Sequence, residues 1–471
     1  MSYAKLLRPA ALWAEQEMGR VVLGDSRRTQ RLVAVTTALA QNPNGTLPTT
    51  FTHWKDLRAA YRLFAEPDVT HDAIAAAHCG RVAQACQVPG EYLLLEDTTT
   101  LSFNTHAATA GLGPVNDQGG RGFLAHNTLA LQVVGWDRRQ VPTVTVLGLA
   151  GQQCWSRPKV PLRRKQKGKA QRLSRPRESA RWAATLQAGP PAPAGVRWIY
   201  VADRESDIYE VFERCDTRHA DWVIRAAQAR SLLAEDRSVF TAVAQAPVRG
   251  HLAVALRARP EESARTMRVA LRALIVTLRG PWRPGGELAP RTLQVVEVRE
   301  VAPPAGSKPM VWVLLTSLPI GTLAQIKRIV GCYTQRWLVE EFHKALKSGT
   351  QVEASQLATG RALQALCAVL SLVALRLLET KLYARAFPNA PVPRGQFAPE
   401  LIELLGRELG RPPGGWTQRT VWRGIARCGG FLNRKGDGEP GWITIWRGWR
   451  RLLIMIEGVE LHRKKGGEKC G

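Results

Sequence analysis

Two apolar runs that each end in a carboxylate constrain this chain most: Tyr92-Leu93-Leu94-Leu95-Glu96-Asp97 and Val196-Arg197-Trp198-Ile199-Tyr200-Val201-Ala202-Asp203. Short runs rich in branched and aromatic side chains read as strands. The second is followed at once by a helical stretch over 204–213. Strand and helix patterns alternate from about 71 to 370, which implies an α/β domain. Within it, 129–134 and 141–149 read as a strand pair around the turn at Asp137-Arg138-Arg139. From 238 to 316 the period switches to two, as in 267–274 and 293–298, and this stretch reads as an antiparallel β insertion. Sites in open α/β sheets gather at the carboxyl ends of strands, which makes Asp97 and Asp203 candidates. Either could instead cap a helix, Asp203 before Arg204-Glu205-Ser206 above all, and Glu205 and Asp207 read as first-turn residues.

On both sides of this core the pattern is helical. Asp25 can cap a helix that opens Ser26-Arg27-Arg28-Thr29 and stops at Asn42-Pro43-Asn44-Gly45. A second helix carries Trp54, Leu57, Ala60, Tyr61 and Phe64. Arg27 and Arg31 stand one turn apart, either as a solvated face or as a contact for a partner. Beyond 375 helices return, with a stretch rich in Gly and Trp over 429–449. The longest apolar run, 366–375, lies between Arg361 and Arg376 and reads as a buried helix too short to span a bilayer.

Charge narrows the partner. The 471 residues hold 66 Lys and Arg against 39 Asp and Glu, a net +27, which calls for an anionic partner, nucleic acid first. An anionic membrane would need a basic amphipathic helix or a lipidation signal, and neither is found. A sugar-cleaving enzyme could use paired carboxylates but has no need of this charge. With no hydrophobic leader at Met1–Lys5, a cytoplasmic, nucleoid-associated location is expected. The segment 157–181 holds eleven Lys or Arg and one acid, Glu178, and reads as a mobile loop gripping phosphate backbone without reading bases. Eight cysteines show no C-x-x-C pair, so any metal must be held by oxygen ligands. No G-x-x-x-x-G-K-[ST] is present, and ATP is not expected.

The densest local signal is Tyr333-Thr-Gln-Arg336-Trp-Leu-Val-Glu340-Glu-Phe-His-Lys344-Ala-Leu-Lys347. On one helix, Tyr333, Arg336, Glu340, Lys344 and Lys347 fall within roughly an 80° stripe, with Leu338, Val339, Phe342, Ala345 and Leu346 opposite. Alone this could be a solvated face laced with ion pairs. Beside two strand-end aspartates it offers a third carboxylate. Three convergent carboxylates repel one another unless hard cations neutralise them, and Mg²⁺, with Mn²⁺ as substitute, suits carboxylates, waters and phosphate oxygens. Two such ions would clamp an in-line phosphoryl displacement.

These residues resemble the DDE transposases of the insertion-sequence-four group, to which the transposon-five enzyme belongs. The group's Tyr-two-Arg-three-Glu-six-Lys spacing falls on Tyr333, Arg336, Glu340 and Lys347. Its two aspartate contexts fall on Glu96-Asp97-Thr98-Thr99-Thr100-Leu101-Ser102 and Asp203-Arg204-Glu205-Ser206-Asp207-Ile208. Further matches are 23–29, Ala60-Tyr61-Arg62, 312–317 and Gly429-Gly430-Phe431. The resemblance implies a ribonuclease-H-like core at 71–370 with the β insertion inside it, a DNA-binding helical domain at 1–70 and a helical dimerisation domain at 371–471. It implies Asp97, Asp203 and Glu340 as catalytic metal ligands, and cut-and-paste transposition by nicking, hairpin formation and opening, and strand transfer at transposon ends. Tyr333, Arg336, Lys344 and Lys347 would grip phosphates, Trp312 would stack on a flipped base or sit in the core, and Arg27, Arg28, Arg31 and Arg62 would contact DNA. Two protomers would act on paired ends, with Trp442, Trp446 and Trp449 seeking a partner surface. A catalytically inactive DNA-binding inhibitor or remnant is the alternative, and the 157–181 loop departs from the group in length and charge.

Overall fold

The computed structural model describes residues 9–116, 119–158, 181–182, 191–256, 265–283 and 285–467. Most of the 157–181 segment, and with it the expected phosphate-gripping loop, lies outside the described residues.

Nine long strands, with the two-residue strand Gly113–Pro114 at one edge, form a single sheet. They are β1 (Gly90–Ser102), β2 (Arg121–Trp136), β3 (Pro142–Trp155), β4 (Val196–Ala202), β5 (Asp221–Arg225), β6 (Val248–Leu256), β7 (Arg265–Leu278), β8 (Arg291–Glu300) and β9 (Val311–Thr316). Across the sheet the order is β3-β2-β1-β4-β5-β9-β8-β7-β6. The centre, β1-β4-β5, is parallel and every other pairing is antiparallel. This is a ribonuclease-H-like core of mixed sheet with helices on its faces. The β insertion of the sequence reading, β6 to β9, sets the short pair Trp282–Arg283 and Gly286–Glu287 apart as a two-stranded sheet. Its long strands prolong the main sheet, because β9 pairs with β5 from Leu314↔Arg225 to Thr316↔Val223. An open strand edge is a row of unpaired donors and acceptors, and covering it with the insertion satisfies them.

The N-terminal helices form as their caps dictate. Asp25 accepts the Arg27 N–H at 2.8 Å and starts the helix Ser26–Gln41, which buries Leu32, Val35 and Leu39. The helix Trp54–Ala65 buries Ala60, Leu63 and Phe64 beside it. Its last carbonyls would be orphaned, but the Arg361 guanidinium takes those of Ala65 at 2.8 Å and Phe64 at 3.3 Å, together with Glu66 and Val69. Arg361 opens the helix Gly360–Ala386, the spine of the molecule. That helix is long and apolar enough to cross a membrane by length and composition, but 83% of the apolar window is buried inside the chain. Each Leu or Val it buries contributes about 1.5–3 kcal/mol.

The C-terminal helices Pro399–Leu409, Gln418–Cys428 and Trp442–Gly467 close the other side of this spine. Gly429 and Gly448 let the last two cross in contact, since a Cβ on Gly429 would strike the Thr444 carbonyl and one on Gly448 the Ile425 carbonyl. The expectation that the tryptophans need a partner is corrected. Trp442, Trp446 and Trp449 are each under 10% exposed within one chain. Trp442 stacks on Trp446, and Trp449 meets Phe397 and Trp422. Among the described residues, Ile443 and Ile454 are instead the exposed large apolar side chains of that helix, at 62% and 59%.

Candidate active site

Sheet register brings the two aspartates together. β1 and β4 run parallel up to the pair Glu96↔Ala202, and the next residue on each chain is Asp97 and Asp203. Asp203 ends its strand as the sequence suggests and also caps a short 3₁₀ turn, accepting the Glu205 N–H at 2.8 Å. Asp97 does not end β1, which continues to Ser102 because Thr98–Ser102 stay paired to β2. Its Oδ1 accepts the Thr98 N–H at 2.9 Å, leaving Oδ2 to face the neighbouring helix.

That helix is not the single rod of the sequence reading. One helix, Leu323–Thr334, ends at Gln335; a second, Trp337–Lys344, follows, and Ala345–Gly349 widen into a π turn. The apolar side is as expected, with Leu338, Val339, Phe342, Ala345 and Leu346 buried. On the polar side Arg336 pairs with Glu340 one turn on and reaches Asp97 Oδ2 at 3.5 Å. Burial pushes the Asp97 carboxyl up to about 7; Arg336 opposes this, and the charges of Asp203 and Glu340 add to it. Asp97 therefore feels both other carboxylates across the small bay that Arg336 spans.

The bay suits a hard cation, with a guanidinium standing in for one. Arg336 spans Asp97 and Glu340, the place a divalent ion would neutralise. Among the described residues, no three His, Cys, Asp or Glu side chains are gathered closely enough to hold an ion as they stand. The donors at hand are carboxylate oxygens, which suits Mg²⁺ or Mn²⁺ and not a soft metal.

Around the bay the other expected residues divide. Tyr333 is buried at the end of its helix, its ring 5.1 Å from that of Trp312 and roughly perpendicular to it. Trp312, on β9, is half-buried and packs on the core. Lys344 is exposed and pairs with Glu341 at 3.3 Å, while Lys347 is half-buried on the π turn. Arg27 and Arg62 are exposed on the N-terminal helices. Arg28 is taken up by Glu66 at 2.6 Å and Asp68 at 2.9 Å, and Arg31 by Asp56 at 3.3 Å. Asp207 is not a first-turn residue: fully buried, it holds Arg230 and accepts the Ala227 and Gln228 N–H groups.

Several residues here were missed by sequence reasoning. Arg225, at the end of β5, shares a hydrogen bond with Tyr333 and adds a cation to the rim. His343 places Nδ1 3.8 Å from Asp97 Oδ2, and burial lowers its pKa to about 3, so it is neutral. Asn127 sits directly across from Asp97 in the register, and Gln152 directly across from Asn127. A signal existed for these: Asn127 and Gln152 are amides inside runs otherwise suited to burial, and buried amides demand partners.

Three family models match, in chain order. Residues 10–69 match one described as transposase DNA-binding. Residues 178–376 match a transposase DDE domain, a span containing Asp203 and Glu340 with Asp97 upstream of it. Residues 412–468 match the transposase Tn5 dimerisation domain.

Proposed function

The chain belongs to the DDE transposases, related to the transposon-five enzyme, and from that membership we propose that Asp97, Asp203 and Glu340 hold the divalent cations with which it cuts and rejoins DNA. It is a DNA endonuclease and strand transferase that depends on divalent metal, acts on DNA and forms dimers. The observation that carries the finer reading is geometric: Asp97 and Asp203 follow the same register pair on adjacent parallel strands, and Arg336 links Asp97 to Glu340.

Two Mg²⁺ ions held by these carboxylates would stabilise the attacking and leaving oxygens of an in-line phosphoryl displacement. Asp97 and Asp203, on adjacent strands of a rigid sheet, fix the ligand geometry; Glu340 closes it from a helix. Arg336 exchanges its carboxylate partners for a phosphate oxygen when DNA arrives, and Lys344 and Lys347 extend that grip along the same helix. Trp312, half-buried with the Tyr333 ring beside it, offers an indole on which a flipped base stacks. Arg27 and Arg62 supply phosphate contacts from the N-terminal helices, and Arg28 and Arg31 hold those helices in shape. The sequence of chemistry proposed is nicking, hairpin formation and opening, and strand transfer at paired transposon ends.

Dimer contacts are assigned to the outward stripe of the last helix. Ile443 and Ile454 are eleven residues apart, about three turns, and so share one face. Incubating the protein with its own element's ends and Mg²⁺, then sequencing the products, tests the reading: hairpin-capped and flush ends are expected, and cutting in excess chelator would overturn the metal assignment.

A further inference from the structure

A continuous row of buried polar side chains runs from the molecular surface to Asp97. It starts at Asp72, whose side chain is 93% exposed and whose Oδ1 meets His71 Nδ1 at 2.8 Å. His71 Nε2 meets Gln152 Oε1 at 3.0 Å. Gln152 Nε2 donates to Asn127 Oδ1 at 2.6 Å and to Ser371 Oγ at 2.8 Å. Asn127 Nδ2 meets His343 Nε2 at 3.0 Å, and His343 Nδ1 faces Asp97 Oδ2 at 3.8 Å. His71, Gln152, Asn127 and His343 are all buried. Asp97, Asn127 and Gln152 are cross-strand neighbours on β1, β2 and β3, so the sheet itself sets their spacing.

The direction of every bond in this row is fixed by one backbone group. The Asn127 amide atom that meets His343 also lies 3.1 Å from the Ala125 carbonyl oxygen. Two oxygens cannot share that contact, so the atom is the NH₂ nitrogen and it donates in both directions. His343 Nε2 must then be the lone-pair acceptor, and the ring proton sits on Nδ1, pointing at Asp97. Read outward, Asn127 Oδ1 accepts from Gln152, Gln152 Oε1 accepts from His71 Nε2–H, and His71 Nδ1–H meets the Asp72 carboxylate. Burial opposes a charged His71, but the hydrogen bonds of Asp72 and Gln152 raise its pKa above the ordinary value, consistent with a ring that donates at both nitrogens.

We propose that His343 is a positioning residue for Asp97: the relay from His71 through Gln152 and Asn127 locks its proton on Nδ1, and that N–H turns Asp97 Oδ2 towards the bay shared with Asp203 and Glu340. The inference rests on the reading of Asp97 as a cation ligand. Groups that orient a metal ligand in this way commonly matter 10–100-fold, by about that factor in affinity or rate. The gap of 3.8 Å lies beyond hydrogen-bonding range as it stands, and hydrogen bonds in empty active sites are commonly long and tighten only in the substrate complex.

The test begins on the full-length, metal-free protein labelled with ¹⁵N-histidine, with the His343 signals assigned by their loss in His343→Asn. Long-range ¹H–¹⁵N correlation should show Nδ1 protonated and Nε2 bare. Asn127→Asp, which sets a carboxylate oxygen against Nε2, should bring a proton onto Nε2. A wild-type ring protonated at Nε2 alone overturns the relay. For function, Mn²⁺ affinity by electron spin resonance and single-turnover nicking are compared across variants. His343→Ala and His343→Gln should each lose roughly 10–100-fold, while His343→Asn, which keeps an N–H near the Nδ1 position, should recover most of it. Equal losses in the Asn and Ala variants overturn the positioning role. If Asp97→Ala itself still cuts at the wild-type rate, the cation-ligand reading is what fails, and the tautomer measurement stands apart from that result.

Discussion

Glu341→Ala should be far more damaging than a surface charge deletion, although Glu341 takes no part in the chemistry. Its carboxylate receives the Lys381 ammonium at 2.8 Å and the Trp442 indole N–H at 3.1 Å, with Lys344 at 3.3 Å on the outer side. Lys381 also lies 3.9 Å from the centre of the Trp442 ring. The two charged side chains are only 11% and 7% exposed. Burial works against the Glu341 charge, but Lys381 and then Lys344 bring its pKa down to about 2. Burial also lowers Lys381, to about 8, against the pull of Glu341. Both are therefore charged at neutral pH. Removing one member of such a pair strands the other, at a cost of about 3–5 kcal/mol, against about 0–1 kcal/mol for an exposed pair. Urea unfolding followed by tryptophan fluorescence reads this directly, since Trp442 sits on the pair. A Glu341→Leu, Lys381→Met double variant should recover most of the loss. The pH dependence follows with its sign: a depressed carboxylate pKa stabilises above the ordinary carboxylate range and is lost as pH falls towards 2. Wild type should lose up to about 3 kcal/mol across that window that the double variant does not. A cost below about 1 kcal/mol for Glu341→Ala, or a double variant no better than the single, would refute the reasoning.

Other perturbations separate the roles of neighbouring residues. Arg27→Ala and Arg62→Ala should weaken end binding and lower its salt slope by about one counterion each, whereas Arg28→Ala should loosen the N-terminal helices through Glu66 and Asp68; filter binding across salt and thermal unfolding distinguish them. Ile443→Glu with Ile454→Glu should leave unfolding within about 0.5 kcal/mol of wild type, because both side chains are exposed, yet abolish paired-end complexes in gel shift. Persistence of those complexes would move the dimer face elsewhere.

What the sequence revealed depended on whether a signal was local. Caps, strand periods and the apolar side of 337–346 are set by neighbours in the chain, and Asp25, β4 with Asp203, and Phe342 all fall where the pattern puts them. Asp97 within a continuing strand was not legible, since only pairing with β2 carries β1 on to Ser102. The break at Gln335–Arg336 was hidden by a helical pattern with no Gly or Pro to mark it. Glu341 and His343 read as ordinary polar helix positions, and only Lys381, Trp442, Asn127 and Asp97, all distant in sequence, make them buried partners. The tryptophans misled for the same reason: counting apolar side chains on a short tail ignores the helix Gly360–Ala386 against which that tail packs.

The central claim is that three carboxylates from two strands and a helix hold the cations that cut DNA. Single-turnover cutting in preformed end complexes with Mg²⁺, compared among wild type, Asp97→Ala, Asp203→Ala and Glu340→Ala, tests it most directly. The account predicts that each substitution removes cutting while end binding and folding stay near wild type. A variant that still cuts at the wild-type rate, or one that loses cutting only because it no longer binds DNA, would contradict it.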